Sequence, residues 1–210
     1  MTKKRYQGPS NDKERSTQKL IEAVGSIIKT KGYTGLSATN IASAAGLSRR
    51  LITIYFGTVD NLIETYVKGK DYWLAASGDA VEMIKNNEGE NTRPILECLL
   101  QNQMDYFFNQ EEMQKIVLWQ ISQSTRIMKE VCDERELLSK YFFALSDKEL
   151  KGKNIDLRAV SALLVAGIYY LVLHAKSTDT TFCEIDLLHP DGMERIKNAI
   201  SLILKNTYNN

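Results

Sequence analysis

Three glycines, Gly32, Gly46 and Gly57, cut the first third of the chain into pieces too short for anything but small helices joined by tight turns. Ahead of Gly32, the apolar residues Leu20, Ile21, Val24, Ile27 and Ile28 recur at helical spacing, which predicts a helix over Asp12–Lys31. Asn11 is its expected N-cap, with Glu14 three residues on, and Lys29 and Lys31 suit its negative end. Ser37 is the natural N-cap of a second helix ending at Gly46, and Ser48 that of a third running to Phe56. Gly57 and Thr58 end this one and open the next. Turns of this length leave room for a compact trihelical unit.

Beyond it the pattern stays helical. A long helix is expected over residues 58–87, carrying Leu62, Ile63, Tyr66, Val67, Trp73, Leu74, Val81 and Ile84, with bends at Gly69 and Gly78. Further helices are expected at about 93–109, 111–122, 125–145, 156–176 and 190–206, Pro94 suiting a first turn. No alternating strand pattern and no internal repeat is visible. The fold class expected is therefore all-α.

The formal net charge of +1 conceals a split. Residues 1–70 hold 12 Lys/Arg and 5 Asp/Glu, a balance of +7, and the remainder carries −6. Nucleic acid is thus a partner for the first third alone. With 43% hydrophobic and 25% charged residues, disorder and collagen-like readings are excluded. Cys98, Cys132 and Cys183 make no CxxC pair and read as reduced, buried thiols of a cytoplasmic protein rather than a disulfide framework or metal site. The basic start, followed by no apolar run, does not read as a secretory signal.

Residues 37–56, SATNIASAAGLSRRLITIYF, read as two short helices about the turn Ala45-Gly46-Leu47, a helix-turn-helix whose second helix can enter a major groove. Leu36, Ile41, Ala45, Leu47, Ile52 and Phe56 form the inward set, leaving Arg49, Arg50 and Thr53 outward. Arginine is the side chain best suited to the O6 and N7 acceptors of guanine.

The run GYTGLSATNIASAAGLSRRLITIYFGTVDNL resembles the DNA-binding domain of the TetR family of bacterial transcription regulators. The match covers about 50 residues and is carried by Gly-Tyr after helix 1, Ile-Ala-x-x-Ala-Gly-Leu-Ser across the turn and Tyr-Phe before helix 4. The resemblance implies a three-helix DNA-binding domain followed by a helical ligand-binding and dimerisation domain, and hence a regulator, most simply a repressor, released from a palindromic double-stranded operator by a small apolar or aromatic effector. It implies base-facing positions for Arg49, Arg50 and Thr53, a phosphate-facing one for Tyr55, and phosphate contacts at Ser37 and Thr39, with Ser48 opening the recognition helix. Arg50, Leu51, Thr53 and Val59 depart from the family's usual small, hydroxyl, tyrosine and lysine residues. Lys3, Lys4 and Arg5 have two readings, a minor-groove arm or a solubilising tail. The domains expected are an arm over 1–10, the DNA-binding domain over 11–57, and an effector-binding and dimerisation domain over 58–210.

Within the latter, Tyr66, Trp73, Met104, Phe107, Phe108, Trp119, Tyr141 and Tyr169 are candidates for a ligand pocket, part of the set being ordinary core. Small and apolar residues predict a homodimer through the last two helices, with Ala162, Ala166, Gly167 and Tyr170 on one and Ile196, Ala199, Ile200 and Ile203 on the other. No cofactor or metal is expected, and the sequence lacks the GxSxG, GxxxxGK[ST], GxGxxG and HExxH motifs of common enzymes. The rival reading is a helical interaction or membrane-associated protein, prompted by 17 uncharged residues, Ala159 to Ala175; their length suits a buried interface helix better than a span.

Overall fold

The computed structural model describes residues 9–75 and 91–209. The chain divides into two compact units: residues up to Asp71 with Lys115–Val131, and Tyr72–Gln114 with Cys132 onward. The first unit therefore extends past residue 57, where the sequence placed a boundary, and takes in a segment from the middle of the chain.

In the first unit, α1 (Pro9–Lys31) presents Leu20, Ala23, Val24, Ile27 and Ile28 to the core, the stripe its periodicity announces. It starts three residues earlier than expected, because proline fits the first helical position, so Asn11 lies inside the helix rather than capping it. A 3-10 turn (Tyr33–Gly35) leads to α2 (Ala38–Ala45), α3 (Arg49–Phe56) and α4 (Val59–Lys70). Gly25 lets α4 approach α1 closely: a Cβ there would lie 2.5 Å from the Tyr66 hydroxyl oxygen.

Helix α4 is shorter than expected. Gly69 weakens its last turn, and at Asp71 the backbone turns extended (φ −72°, ψ 124°), its N–H reaching back to the Lys68 carbonyl at 3.3 Å. A four-residue α5 (Tyr72–Ala75) follows. Gly78, Val81 and Ile84 lie outside the described residues.

Among the described residues the remaining helices are α6 (Thr92–Asn109), α7 (Glu111–Ser122), α8 (Arg126–Glu149), α9 (Leu157–Thr178) and α10 (Pro190–Asn209), close to their expected spans. In the second unit α6 is the central element, packed by α5, α9 and α10. It buries Leu96, Leu100, Gln103, Met104 and Phe107. At its start the Thr92 N–H and hydroxyl both donate to Glu149 Oε2, at 2.7 and 2.6 Å, so a carboxylate caps the positive end of the helix. On its other side Lys197 donates to Asp105 at 2.6 Å and Ser201 to Glu97 at 2.6 Å, tying down α10. No disulfide joins the cysteines; Cys98, on α6, and Cys183, in the turn between Phe182 and Ile185, are exposed rather than buried.

Candidate nucleic-acid interface

The turn between α2 and α3 is built by local chemistry. Ser37 caps α2, its Oγ accepting from Asn40 N at 3.2 Å, while the Asn40 side chain donates to the Gly35 carbonyl at 2.8 Å. Gly46 takes the left-handed conformation (φ 64°, ψ 34°), and Leu47 N donates across it to the Ala42 carbonyl at 2.9 Å. Ile41, Ala42 and Ile52 are buried beneath the turn, with Leu36, Ala45, Leu47 and Phe56 half-buried around them. After α3, Thr58 Oγ1 accepts from Asn61 N at 3.1 Å and Asn61 donates to the Phe56 carbonyl at 2.9 Å, which fixes where α3 stops.

What remains outward on α3 is Arg49, Arg50, Thr53 and Ile54, all exposed; Tyr55 is half-buried. One Arg49 Nη donates to Thr39 Oγ1 at 3.3 Å, so the start of α3 is tied to the start of α2 by the two side chains expected to face bases and phosphate. Ser37, Thr39 and Ser48 are exposed on the same stretch. From Gly32 to Val59 the chain has no carboxylate, and its only cationic side chains are the two arginines. Within that stretch phosphate would meet no carboxylate; the next one, Asp60 in the first turn of α4, lies 3.7 Å from Arg126. Lys3, Lys4 and Arg5 lie outside the described residues.

Elsewhere in this unit Arg126, in the first turn of α8, approaches Asp60 at 3.7 Å and Glu64 at 3.8 Å on α4. Lys68, 2.7 Å away, lowers the Glu64 carboxyl below its usual range chiefly by hydrogen bonding, against the opposing effect of burial.

The architecture just described has many solved counterparts. The secondary repressor NalD of the MexAB-OprM efflux pump in Pseudomonas aeruginosa is 18% identical, with a TM-score of 0.65 over 90% of this chain and 95% of its own. A TetR-family regulator from Marinobacter aquaeolei is 17% identical, with a TM-score of 0.64 over 91% and 96%. The fold is that of the TetR-family regulators. A third example, the regulator FadR of Bacillus subtilis, solved with stearoyl-CoA, is 14% identical, with a TM-score of 0.63 over 89% and 96%. No family model and no curated protein matches the sequence. In this TetR-type frame the described helix-turn-helix is the amino-terminal unit, and α9 and α10 are the last two helices.

The expected pocket residues are divided between the two units. Tyr66 and Trp119 belong to the first unit, Tyr66 against Gly25 and Trp119 stacked on Tyr33. Tyr141 is 59% exposed. In the second unit Phe107 meets Tyr169 edge-on at 4.8 Å, and Tyr72 contacts both Trp73 and Tyr106. Met104 is fully buried, and Lys176 Nζ sits 3.6 Å above the Phe108 ring. A polar cleft of about 190 Å³ lies among Asn91, Arg93, Glu149, Lys153 and Tyr208, bordered by none of the eight. Hydropathy gave no hint of Gln103, which is wholly buried with neither amide atom hydrogen-bonded among the described residues.

Of the expected dimer residues, Ala162, Ala166, Tyr170, Ala199 and Ile203 are exposed, while Gly167 and Ile196 are half-buried. Ile200 is a correction: it is 3% exposed, in the inward stripe of α10 with Leu204 and Tyr208. Leu163, 75% exposed, and Leu202, 58% exposed, join the outer face instead. By length and composition α9 would also pass as a membrane span.

Proposed function

We propose that the chain is a cytoplasmic DNA-binding transcription regulator, a homodimer that reads a palindromic operator through α3 and releases it when a small, largely apolar effector binds the second unit. The observation that carries this reading is the exposed set Arg49, Arg50 and Thr53 on a helix whose start is tied to α2, in a stretch of 28 residues without a carboxylate. A two-fold copy would set two such helices in successive major grooves, about 34–36 Å apart. The exposed apolar faces of α9 and α10 supply the contact between copies, which explains an apolar α9 without a membrane.

The effector's place is argued from Leu100, Met104, Phe107 and Tyr169, an apolar set in which Gln103 offers one amide to orient a polar group. That the similar FadR was solved with stearoyl-CoA supports a ligand with a long apolar part. Helix α4 stops at Lys70, so this reading does not rest on one unbroken α4 to transmit the response. The chain crosses between units again within α7 and within α8, which supports those helices as carriers of the response. A coupling of about 1–3 kcal/mol is the usual scale.

Selection from random duplexes is the decisive experiment. It should enrich a palindrome, and Arg50→Ala should cost about 1–3 kcal/mol and relax preference at one base pair per half-site. No enriched sequence at any salt concentration would remove the reading.

A further inference from the structure

Helix α3 carries a large apolar side chain that its own unit does not cover. Ile54 is 58% exposed, whereas Ile52, two residues earlier, is 2% exposed. At 100° per residue the exposed positions of α3 follow one another around the helix as Arg49, Thr53, Arg50 and Ile54. Ile54 therefore stands one turn beyond Arg50 on the outward arc, away from Ile52 and Phe56. It contributes little to the core, and it can neither pair with phosphate nor hydrogen-bond a base edge. In a major groove, however, it has one specific partner, because the C5-methyl of thymine is the apolar group that base pairs display there. The charge around it suits the occupant: Arg50 is its neighbour, and no carboxylate lies between Gly32 and Val59.

We propose that Ile54 reads a thymine methyl group in each half-site, beside the base pair met by Arg50. The inference rests on the reading that α3 enters the major groove, and it adds a specificity element with no hydrogen bond. It requires a T·A pair at one fixed position next to the Arg50 contact, where hydrogen-bond readout alone would leave the sequence open.

The test uses the full chain and the palindrome returned by selection. Each thymine is replaced in turn by deoxyuridine, which deletes the methyl and keeps every hydrogen-bonding group. For the unsubstituted protein, one position per half-site should lose about four-fold in affinity, the scale of one buried methyl group. Ile54→Ala should bind the thymine and uracil duplexes equally, with unchanged thermal unfolding because the side chain is exposed. Ile54→Val, which keeps two methyl groups, should restore part of the discrimination. If no position responds, or if Ile54→Ala keeps the same response, the proposal fails while DNA reading by the arginines stands. A selection with no enriched sequence would overturn both.

Discussion

The ring of Tyr33 lies flat against that of Trp119, with centroids 5.5 Å apart and planes 6° from parallel. One belongs to the turn after α1, the other to α7, so the second half of α7 is part of the unit that carries the helix-turn-helix. Trp119 is 6% exposed, and its indole N–H has no partner among the described residues. Trp119→Ala should therefore cost about 3–5 kcal/mol in urea unfolding and weaken DNA binding without touching DNA. Trp119→Phe, which keeps a stacked ring and removes the orphaned donor, should cost much less. Equal losses for the two variants would mean that the stack carries nothing.

Two buried glutamines should respond with opposite signs. Gln114 donates to the Phe107 and Phe108 carbonyls at 2.8 and 3.1 Å, closing the end of α6, while Gln103 makes no such bond. Gln103→Leu, close in volume, should raise stability by about 1–3 kcal/mol because it removes buried amide atoms that are unpaired. Gln114→Leu should lower stability by a similar amount, since two carbonyls lose their donor. Thermal unfolding of both variants without ligand decides the matter. In the presence of an effector Gln103→Leu should also lose the stabilisation that the ligand gives.

Much of the first unit is legible in the sequence because its signals are local. Ser37, Gly46, Gly57 and Thr58 act on neighbours within five residues, and the structure uses each as the sequence suggests. The end of α4 is different. Its apolar spacing continues through Trp73 and Leu74, so periodicity alone gives no reason to stop at Lys70. How the pocket candidates divide between the two units is not legible for a related reason: an aromatic residue at helical spacing declares that it is buried, not against what. Tyr66 faces Gly25 and Trp119 faces Tyr33, partners 41 and 86 positions away in sequence. Ile200 and Ile203 are both apolar on one helix, and only packing against α6 decides which faces inward.

The link between α9 and α10 contains a strained turn. Phe182 and Ile185 exchange two backbone hydrogen bonds of 3.0 Å, and both residues between them, Cys183 and Glu184, have positive φ, 51° and 59°. Turns of this kind favour Asn-Gly. Glu184→Gly should stabilise by up to about 1 kcal/mol, and Cys183→Val, β-branched in the same conformation, should destabilise by about 1–2 kcal/mol. Chemical denaturation of the two variants against the parent gives the comparison; a stabilising valine would contradict the backbone argument.

Tyr72 predicts a dependence on alkaline pH. Its hydroxyl donates to the Leu99 carbonyl at 2.9 Å, and burial first, then the nearby Cys98, pushes its pKa up to about 12 from 10.0. Below pH 10 the folded and unfolded states both keep the phenolic proton, so this group adds no slope. Between pH 10 and about 12 the unfolded state loses the proton first, and stability falls as pH rises. The urea midpoint should decline less steeply across that window in Tyr72→Phe. Parallel curves for the two proteins would show that Tyr72 titrates alike in both states.

The outer face of α9 and α10 sets the last prediction. Leu163 (75% exposed), Tyr170 (53%), Leu202 (58%) and Ile203 (42%) stand out with the small residues Ala162 and Ala166, while Ile168 and Val172 already fill the inward side of α9. Large apolar side chains exposed this far, with alanines that permit close approach, suit a second copy of the same face. Leu163→Arg or Ala166→Arg should thus leave helical content unchanged, shift sedimentation from dimer to monomer and lower operator affinity at least about ten-fold, because two linked half-sites bind far more tightly than one. Ile200→Ala should behave otherwise. Its side chain lies in the core, so it should cost about 2–5 kcal/mol of folding stability without selectively separating the copies. If the unsubstituted protein sediments as a monomer at micromolar concentration, or if Leu163→Arg leaves it dimeric, this face is not where the copies meet.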